Sequence, residues 1–263
     1  MVAERNYTTQ FQAGLGMLPE TFTLLRQWEP GMSSTQLVNH VVSTGLFSRT
    51  TARRASNIVS EMFAPRYLGN KGEVAARLKF LLNNRFPQDS LSQICFLQTA
   101  RAQQIFADFI TEVYWPKYSA GAPSLASIDS ERFILHALDT GRMAKRWSET
   151  TIRRVSGYLL GCCVDYGLLG KGRSNIRPLQ RFAIRPEVAL YLAHDLHFAG
   201  LSDADLVHHH DWKLFGLEPS EAIRLLKNLS HDGHLIIQTS GELVQISWKY
   251  KTMEECLHAL TQR

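Results

Sequence analysis

Apolar and polar residues alternate along this chain mostly with helical period, and one stretch near the end alternates as strands do. Residues 15–28 read as a helix, with Pro19 and Glu20 near its start and Glu29-Pro30-Gly31 closing it. Ser33 or Ser34 can cap a second helix, whose Leu37, Val38, Val41 and Val42 fall on one face and which Gly45 ends. Leu46-Phe47 then leads to Ser48, read as the cap of a third helix running towards Phe63, with Pro65 and Gly69-Asn70 as breakers. Helices follow at 71–84, 90–114 and 130–138, where Leu78, Leu81, Leu82, Ile105, Phe106, Phe109 and Ile110 form a core stripe. The Ser, Ala, Gly and Pro between Tyr118 and Ser127 make the best candidate linker.

Helix, glycine turn, apolar residue and capped helix with outward arginines is the layout of a helix-turn-helix. A repeat sharpens it. Residues 48–56 read SRTTARRAS and residues 148–156 read SETTIRRVS, agreeing at six of nine positions. Each copy opens on a serine able to accept a free helix N–H, then offers threonine hydroxyls and paired arginines, groups that suit phosphates and base edges. The second copy predicts a helix over 148–165, an apolar turn at Tyr166-Gly167-Leu168-Leu169, and a basic loop, Gly170-Lys171-Gly172-Arg173-Ser174. A short strand is predicted over 180–184, stopped by Pro186, which makes a winged helix with a phosphate-touching wing.

A third unit combines a helix over 202–215, another from Pro219 or Ser220 to Leu229, and a hairpin, Leu235–Thr239 and Leu243–Trp248 around Ser240-Gly241. Glu218 and Glu221 stand where phosphates would approach, so this wing reads as a packing or partner-binding element, with Trp248 and Tyr250 buried. The pattern implies a mainly α fold of helix-turn-helix and winged-helix units with short β-hairpin wings. It is divided into an N-terminal helical domain (1–120), a winged-helix-like middle domain (128–200) and a C-terminal winged-helix-like unit (201–263).

Net charge is +5 over 263 residues, and its distribution matters more than its size. Between 49 and 85, eight basic residues face two acidic ones, a net +6, and between 142 and 185 ten face two, a net +8. From 186 to the end six face eleven, a net −5. A polyanion partner is therefore expected for the first two blocks only. The candidate DNA contacts are Arg49, Thr50, Thr51, Arg53 and Arg54 in the first copy. In the second they are Lys145, Arg146, Thr150, Thr151, Arg153 and Arg154, with Lys171, Arg173 and Arg177 on the wing.

Other chemistry lacks its pattern. Cys95, Cys162, Cys163 and Cys256 show no C-x-x-C spacing, so reduced thiols are expected, without a structural zinc. His208-His209-His210-Asp211 is the one histidine cluster, but on a helix adjacent imidazoles point about 100° apart and do not converge on one metal. P-loop, dinucleotide and nucleophile-elbow motifs are missing, so no cofactor and no enzymatic activity are expected. The first residues carry Glu4 and Arg5 where a signal peptide would be apolar, and the densest apolar run, 158–164, is far short of the roughly 20 residues of a membrane span. A cytoplasmic protein is expected.

The opening Tyr7-Thr8-Thr9-Gln10-Phe11, Gly14-Leu15-Gly16, Pro19-Glu20-Thr21 and Leu24-Leu25 resembles the start of BrxA proteins. So does the stretch Arg53-Arg54, Asn57-Ile58-Val59, Glu61 and Phe63-Ala64-Pro65-Arg66-Tyr67-Leu68. BrxA belongs to the BREX bacteriophage-exclusion systems, in which bacteria methylate their own DNA and block phage replication. The resemblance implies a small helical component that binds double-stranded DNA, works beside other BREX proteins including a methyltransferase and large ATPases, and performs no chemistry itself. Members have been labelled inner-membrane proteins, against which this sequence argues. Two alternatives stay open: a transcriptional regulator of the same fold with strong preference for one operator, and a helical adaptor that touches no DNA.

Overall fold

The structure, a computed structural model, describes residues 7–8, 16–48, 50–143, 145–172, 175–241 and 243–262. It is mainly helical, with two small antiparallel sheets. The chain forms two compact units, each from separated stretches: Met1–Lys79 with Cys95–Arg181, and Phe80–Ile94 with Phe182–Arg263. The sequence pattern had suggested three consecutive segments instead.

In the first unit, α1 (Leu18–Gln27) buries Phe22, Leu24 and Leu25. Helix α2 (Ser34–Thr44) starts on a full capping box, in which the Ser33 hydroxyl accepts the Gln36 N–H while the Gln36 side chain accepts the Ser33 N–H. It ends at Gly45 with φ 60°, where Leu46 N–H reaches back to the Val41 carbonyl. The next helix is capped by Thr51, not by Ser48: α3 (Ala52–Asn57) begins three residues later than the pattern predicts. A π-helical turn, Ile58–Phe63, carries it directly into α4 (Ala64–Tyr67). Pro65 therefore does not break the helix, contrary to expectation. In the widened turn the Ala64 N–H bonds the Val59 carbonyl five residues back, so the ladder changes register where proline has no N–H to give.

The same device recurs. After the short 3₁₀ turn Asn70–Gly72, α5 (Glu73–Asn83) and α6 (Gln88–Ala102) follow. The single helix predicted over 90–114 breaks at Gln103, whose φ of −132° and ψ of 88° are not helical. Helix α7 (Gln104–Phe109) then passes through a second π turn, Ile110–Tyr114, into α8 (Trp115–Ser119), again with proline, Pro116, as its second residue. The predicted linker contains a strand, β1 (Ser124–Ala126), which leads into α9 (Ser127–Asp139).

Helix α10 (Glu149–Asp165) packs Ile152, Val155, Leu159 and Leu160 inward. Its Ser156 hydroxyl is hydrogen-bonded to that of Ser130 on α9, one donating to the other, and the acceptor of the two donates to the Ser127 carbonyl, which both hydroxyls approach. Strand β2 (Ile176–Pro178) pairs antiparallel with β1, Leu125 opposite Arg177, and an isolated bridge joins Leu169 to Leu179. The strand predicted over 180–184 thus lies a few residues too late. Phe96, Phe106 and Tyr166 meet in this unit's core, with Phe96 at 5.8 Å and 5.6 Å from the other two rings.

In the second unit, α11 (Pro186–Phe198) is buried on nearly every side, from Val188 through His194 to Leu196. No element was predicted here, because a helix apolar all round shows no periodic contrast. The helix expected over 202–215 is two helices, α12 (Asp203–Val207) and α13 (Asp211–Leu214), the break serving to bury Trp212, whose indole N–H donates to the Leu206 carbonyl at 2.8 Å. Helix α14 (Pro219–His231) precedes the predicted hairpin, β3 (Leu235–Ser240) with β4 (Leu243–Trp248), paired from Leu235–Trp248 to Ser240–Leu243. A last helix, α15 (Met253–Thr261), buries Met253, Cys256, Leu257 and Leu260.

Candidate nucleic-acid interface

At the first helix start, Thr51 is extended (φ −68°, ψ 153°) and its hydroxyl accepts the Arg54 N–H at 3.2 Å. Because Ala55, Ile58 and Val59 turn inward, Arg53 and Arg54 are left outside, as the second and third residues of α3. Among the described residues neither meets a carboxylate. Thr50 donates its hydroxyl to the Phe47 carbonyl at 2.9 Å, closing the turn. Arg49 lies outside the described residues.

The second start is built alike. Ser148 is extended (φ −62°, ψ 154°) and accepts the Thr151 N–H at 3.2 Å, its hydroxyl lying 3.0 Å from that of Thr151. Thr150 is exposed and Thr151 half-buried. Burial of Ile152 and Val155 fixes the rotation of α10, so Arg153 and Arg154 face solvent, with Lys145 and Arg146 exposed in the approach to the cap. Glu149 comes to 3.7 Å of Arg153, but the two side chains are 87% and 73% exposed, so the pair is solvent-screened and contributes at most about half a kcal/mol. On the same outer face Gly157 offers bare backbone in mid-helix, with open space where a Cβ would stand. A glycine there costs the helix about 1 kcal/mol, and its place in mid-helix is itself a signal in the sequence.

Beside α10 the chain returns as a narrow hairpin. The Gly170 N–H donates to the Pro178 carbonyl at 2.8 Å and the Gln180 N–H to the Leu168 carbonyl at 3.0 Å, with the basic loop between. Gly172 is required: a Cβ there would overlap the Ile176 carbonyl oxygen. Arg177, assigned to DNA from the sequence, donates instead to the Gly172 carbonyl at 3.0 Å and is half-buried, so it braces the loop. Lys171 is exposed at the base, and Arg173 lies outside the described residues.

Part of the remaining positive charge in the two basic blocks is buried or held against carboxylates. Arg66 is 5% exposed, Lys79 holds Glu29 at 2.7 Å, Arg77 lies 3.7 Å from Glu73, Arg142 holds Glu112 at 2.7 Å, and Arg185 holds Asp89 at 2.7 Å. What stays outward is Arg53, Arg54, Lys71, Arg85, Lys145, Arg146, Arg153, Arg154, Lys171 and Arg181, of which Arg153 carries only the screened pair with Glu149.

The nine-residue repeat is not in structural register. Arg53 and Arg54 stand two and three residues after their cap, whereas Arg153 and Arg154 stand five and six after theirs. Both copies are entered by the same turn: Gly45 and Gly141 have φ of 60° and 70°, and the following residues, Leu46 and Arg142, reach back to Val41 and Ala137. The three-residue displacement is close to one helical turn, so each arginine pair sits on nearly the same face, one turn apart.

Other residues singled out in the sequence have structural tasks. The Glu218 N–H donates to the Glu221 side chain at 3.0 Å, so these acids cap α14. Trp248 and Tyr250 are half-buried rather than buried: Trp248 stacks on His197 at 4.3 Å, and the Tyr250 hydroxyl lies 2.9 Å from His234 Nδ1. All four cysteines are buried free thiols, and burial pushes those of Cys95 and Cys162 up to about 12. His209 and His210, expected to diverge, converge instead, because residues 208–210 lie in the break between α12 and α13 and are not helical.

Among the described residues no helix is long and apolar enough to cross a membrane. Comparison with known proteins finds that residues 5–195 match the family model BrxA. No curated protein matches. Among solved structures, that of an uncharacterized protein from Magnetospirillum magneticum is similar, with a TM-score of 0.61 at 14% identity, over 80% of this chain and 98% of the other, a likeness of fold.

Proposed function

The chain belongs to the BrxA family, a component of BREX phage-defence systems, and from that premise we propose that it binds double-stranded DNA with low sequence specificity and without chemistry of its own. The order α8, β1, α9, α10, the Leu169 bridge, basic loop and β2 is that of a winged helix-turn-helix, in which α10 is the element offered to the major groove. The wing then lies along the phosphates. The observation that carries the reading is the sorting of charge: Arg66 is buried and Lys79, Arg142 and Arg185 are held close against carboxylates, while Arg53, Arg54, Arg153 and Arg154 stand exposed near capped helix starts, with only the screened Arg153–Glu149 pair among them. Free N–H groups and positive side chains at a helix start attract the duplex backbone. Low specificity follows from a set rich in phosphate-contacting cations and poor in the Asn and Gln that read base edges. Thiol chemistry is disfavoured, since burial holds Cys95, Cys162 and Cys163 as thiols. Other BREX proteins are the expected partners on the remaining surfaces.

Gel-shift titration on duplexes of unrelated sequence tests this. Wild type is expected to shift all of them with similar affinity, and Arg153→Glu/Arg154→Glu to lose that binding. An Arg224→Glu/Lys249→Glu variant, changing net charge equally on the acidic second unit, is expected to retain it. Equal loss in both variants would reduce the effect to net charge, and retention in the first would remove α10 from the interface.

A further inference from the structure

The break between α12 and α13 gathers three metal-ligating side chains. His209, His210 and Asp211 each present one ligand atom, and these atoms lie within 4.8 Å of one another. His209 Nδ1 is 3.3 Å from Asp211 Oδ2, and His210 Nε2 is 3.5 Å from Asp211 Oδ1. The imidazole centroids are 4.2 Å apart. We propose that His209, His210 and Asp211 bind a divalent transition-metal ion of the zinc class, through two imidazoles and a carboxylate, with water completing the shell.

Three features support the site. The first is spacing: metal–ligand bonds of about 2.0–2.2 Å set tetrahedral edges of about 3.3–3.6 Å, and His209 Nδ1 stands 3.3 Å from one Asp211 oxygen, Oδ2, and His210 Nε2 3.5 Å from the other, Oδ1. Bringing both nitrogens to one ion needs a swing of His210, which is 66% exposed and has room to move. The second is the orientation of His209. Its Nδ1 lies 3.3 Å from the Asp211 backbone N–H and 3.3 Å from Asp211 Oδ2, so the turn holds this nitrogen beside the carboxylate. A cation between nitrogen and oxygen is held by both, in place of the backbone hydrogen bond. The third is rigidity. The Asp211 side chain is 1% exposed, and the turn is pinned by Trp212 N–H to His209 O at 3.2 Å, Lys213 N–H to His210 O at 3.0 Å and the buried indole bond to Leu206. Neighbouring His208 is turned away, its Nδ1 2.8 Å from the Ala204 carbonyl. Two nitrogens and one carboxylate oxygen suit zinc, cobalt or nickel better than magnesium or calcium, which take oxygen sets.

The test uses the full-length chain with any affinity tag removed, stripped with a chelator and titrated with Zn²⁺ calorimetrically and with Co²⁺ by visible absorption. One ion per chain is expected, with the d–d bands of tetrahedral cobalt. Mere disturbance of groups behind metal ligands costs about 10–100-fold in affinity, so His210→Ala, which removes a ligand from an exposed position, is expected to lose at least that much. Zn²⁺ should also raise the unfolding temperature of wild type but not of His210→Ala. Magnesium should do neither. Failure of Zn²⁺ to saturate the wild-type chain, or wild-type affinity in His210→Ala or His209→Ala, overturns the assignment and leaves the imidazoles as hydrogen-bond partners of a buried carboxylate. DNA is absent from these measurements, so their outcome is independent of the interface on α10.

Discussion

Neutralising the α10 arginines gives the most quantitative test of the DNA reading. Arg153→Ala/Arg154→Ala leaves the fold alone, because both side chains are exposed and alanine favours the helix; only the weak pair with Glu149 is lost. If Arg53, Arg54, Lys145, Arg146, Arg153, Arg154 and Lys171 each neutralise a phosphate, seven contacts give a slope of log K on log salt of about −6. Affinity then falls roughly 10³–10⁴-fold between 50 and 200 mM salt. With two contacts removed the slope becomes about −4.5 and the same salt step costs about 500-fold. Each contact also contributes about eightfold near 0.1 M, so the double variant should bind about 60-fold more weakly there. Fluorescence anisotropy with a labelled duplex at four or more salt concentrations measures both quantities. A variant with unchanged slope and affinity refutes the assignment of α10. A wild-type slope near zero refutes phosphate contact altogether.

Three further expectations concern the supports of this surface. Gly157→Ala should stabilise the protein by up to about 1 kcal/mol, because the helix gains propensity and the Cβ meets nothing; a calorimetric unfolding temperature that fails to rise would count against an exposed, regular α10. Gly172→Ala should do the opposite. Its Cβ overlaps the Ile176 carbonyl, so the loop must open, costing about 1–3 kcal/mol and displacing Lys171; unchanged melting and unchanged DNA affinity would contradict the hairpin geometry. His194 should make stability pH-dependent. Burial, with help from His197 and His234, lowers its pKa to about 4, despite a backbone contact to Leu190 that opposes the shift. The unfolded chain protonates this group near 6.5, so its contribution is complete above that pH and is lost as pH falls from 6.5 towards 4, by about 3 kcal/mol in all. Denaturant unfolding of wild type and His194→Leu at pH 7.5 and 4.5 checks this: an equal loss in both would assign the acid sensitivity to other groups.

Elements with contrast between their faces were legible before any coordinates, and elements without it were not. Helix α2 announced itself through Ser33, its apolar stripe and Gly45, and the β3–β4 hairpin through Leu235 to Trp248 around Ser240-Gly241. Helix α11 was invisible because Val188 to Ala193 is apolar without a break, which leaves no contrast between faces. Pro65 looked like a stop, yet it follows a π turn whose shifted ladder accommodates it, as Pro116 does after the second π turn, an adjustment no local rule of proline placement anticipates. At 208–210 the error ran the other way. Helical period was extended through a break that exists to bury Trp212 under the Leu206 carbonyl, and so the imidazoles were expected to splay.

The charge pattern shows why counting residues along a chain overstates a surface. Net charges of +6 and +8 in the two basic blocks include Arg66, Lys79, Arg142 and Arg185, whose positions inside or against carboxylates follow from tertiary packing that no sequence window contains. Arg177 shows the same effect: its guanidinium turns back to Gly172 because the loop it follows closes upon it. The arginine pairs escape the same fate because of what flanks them. Ala55 on α3 with Ile58 and Val59 in the π turn that continues it, and Ile152, Val155 and Leu159 on α10, fix each helix's rotation, and the arginines between them are left outward. That constraint is the part of the repeat that survives its loss of register. A displacement of three residues moves the arginines along the helix by about 4.5 Å while rotating them by only some 60°, so the cap position can slip while the exposed cationic face is kept. A shared inward stripe, more than a shared cap, therefore makes the two copies alike.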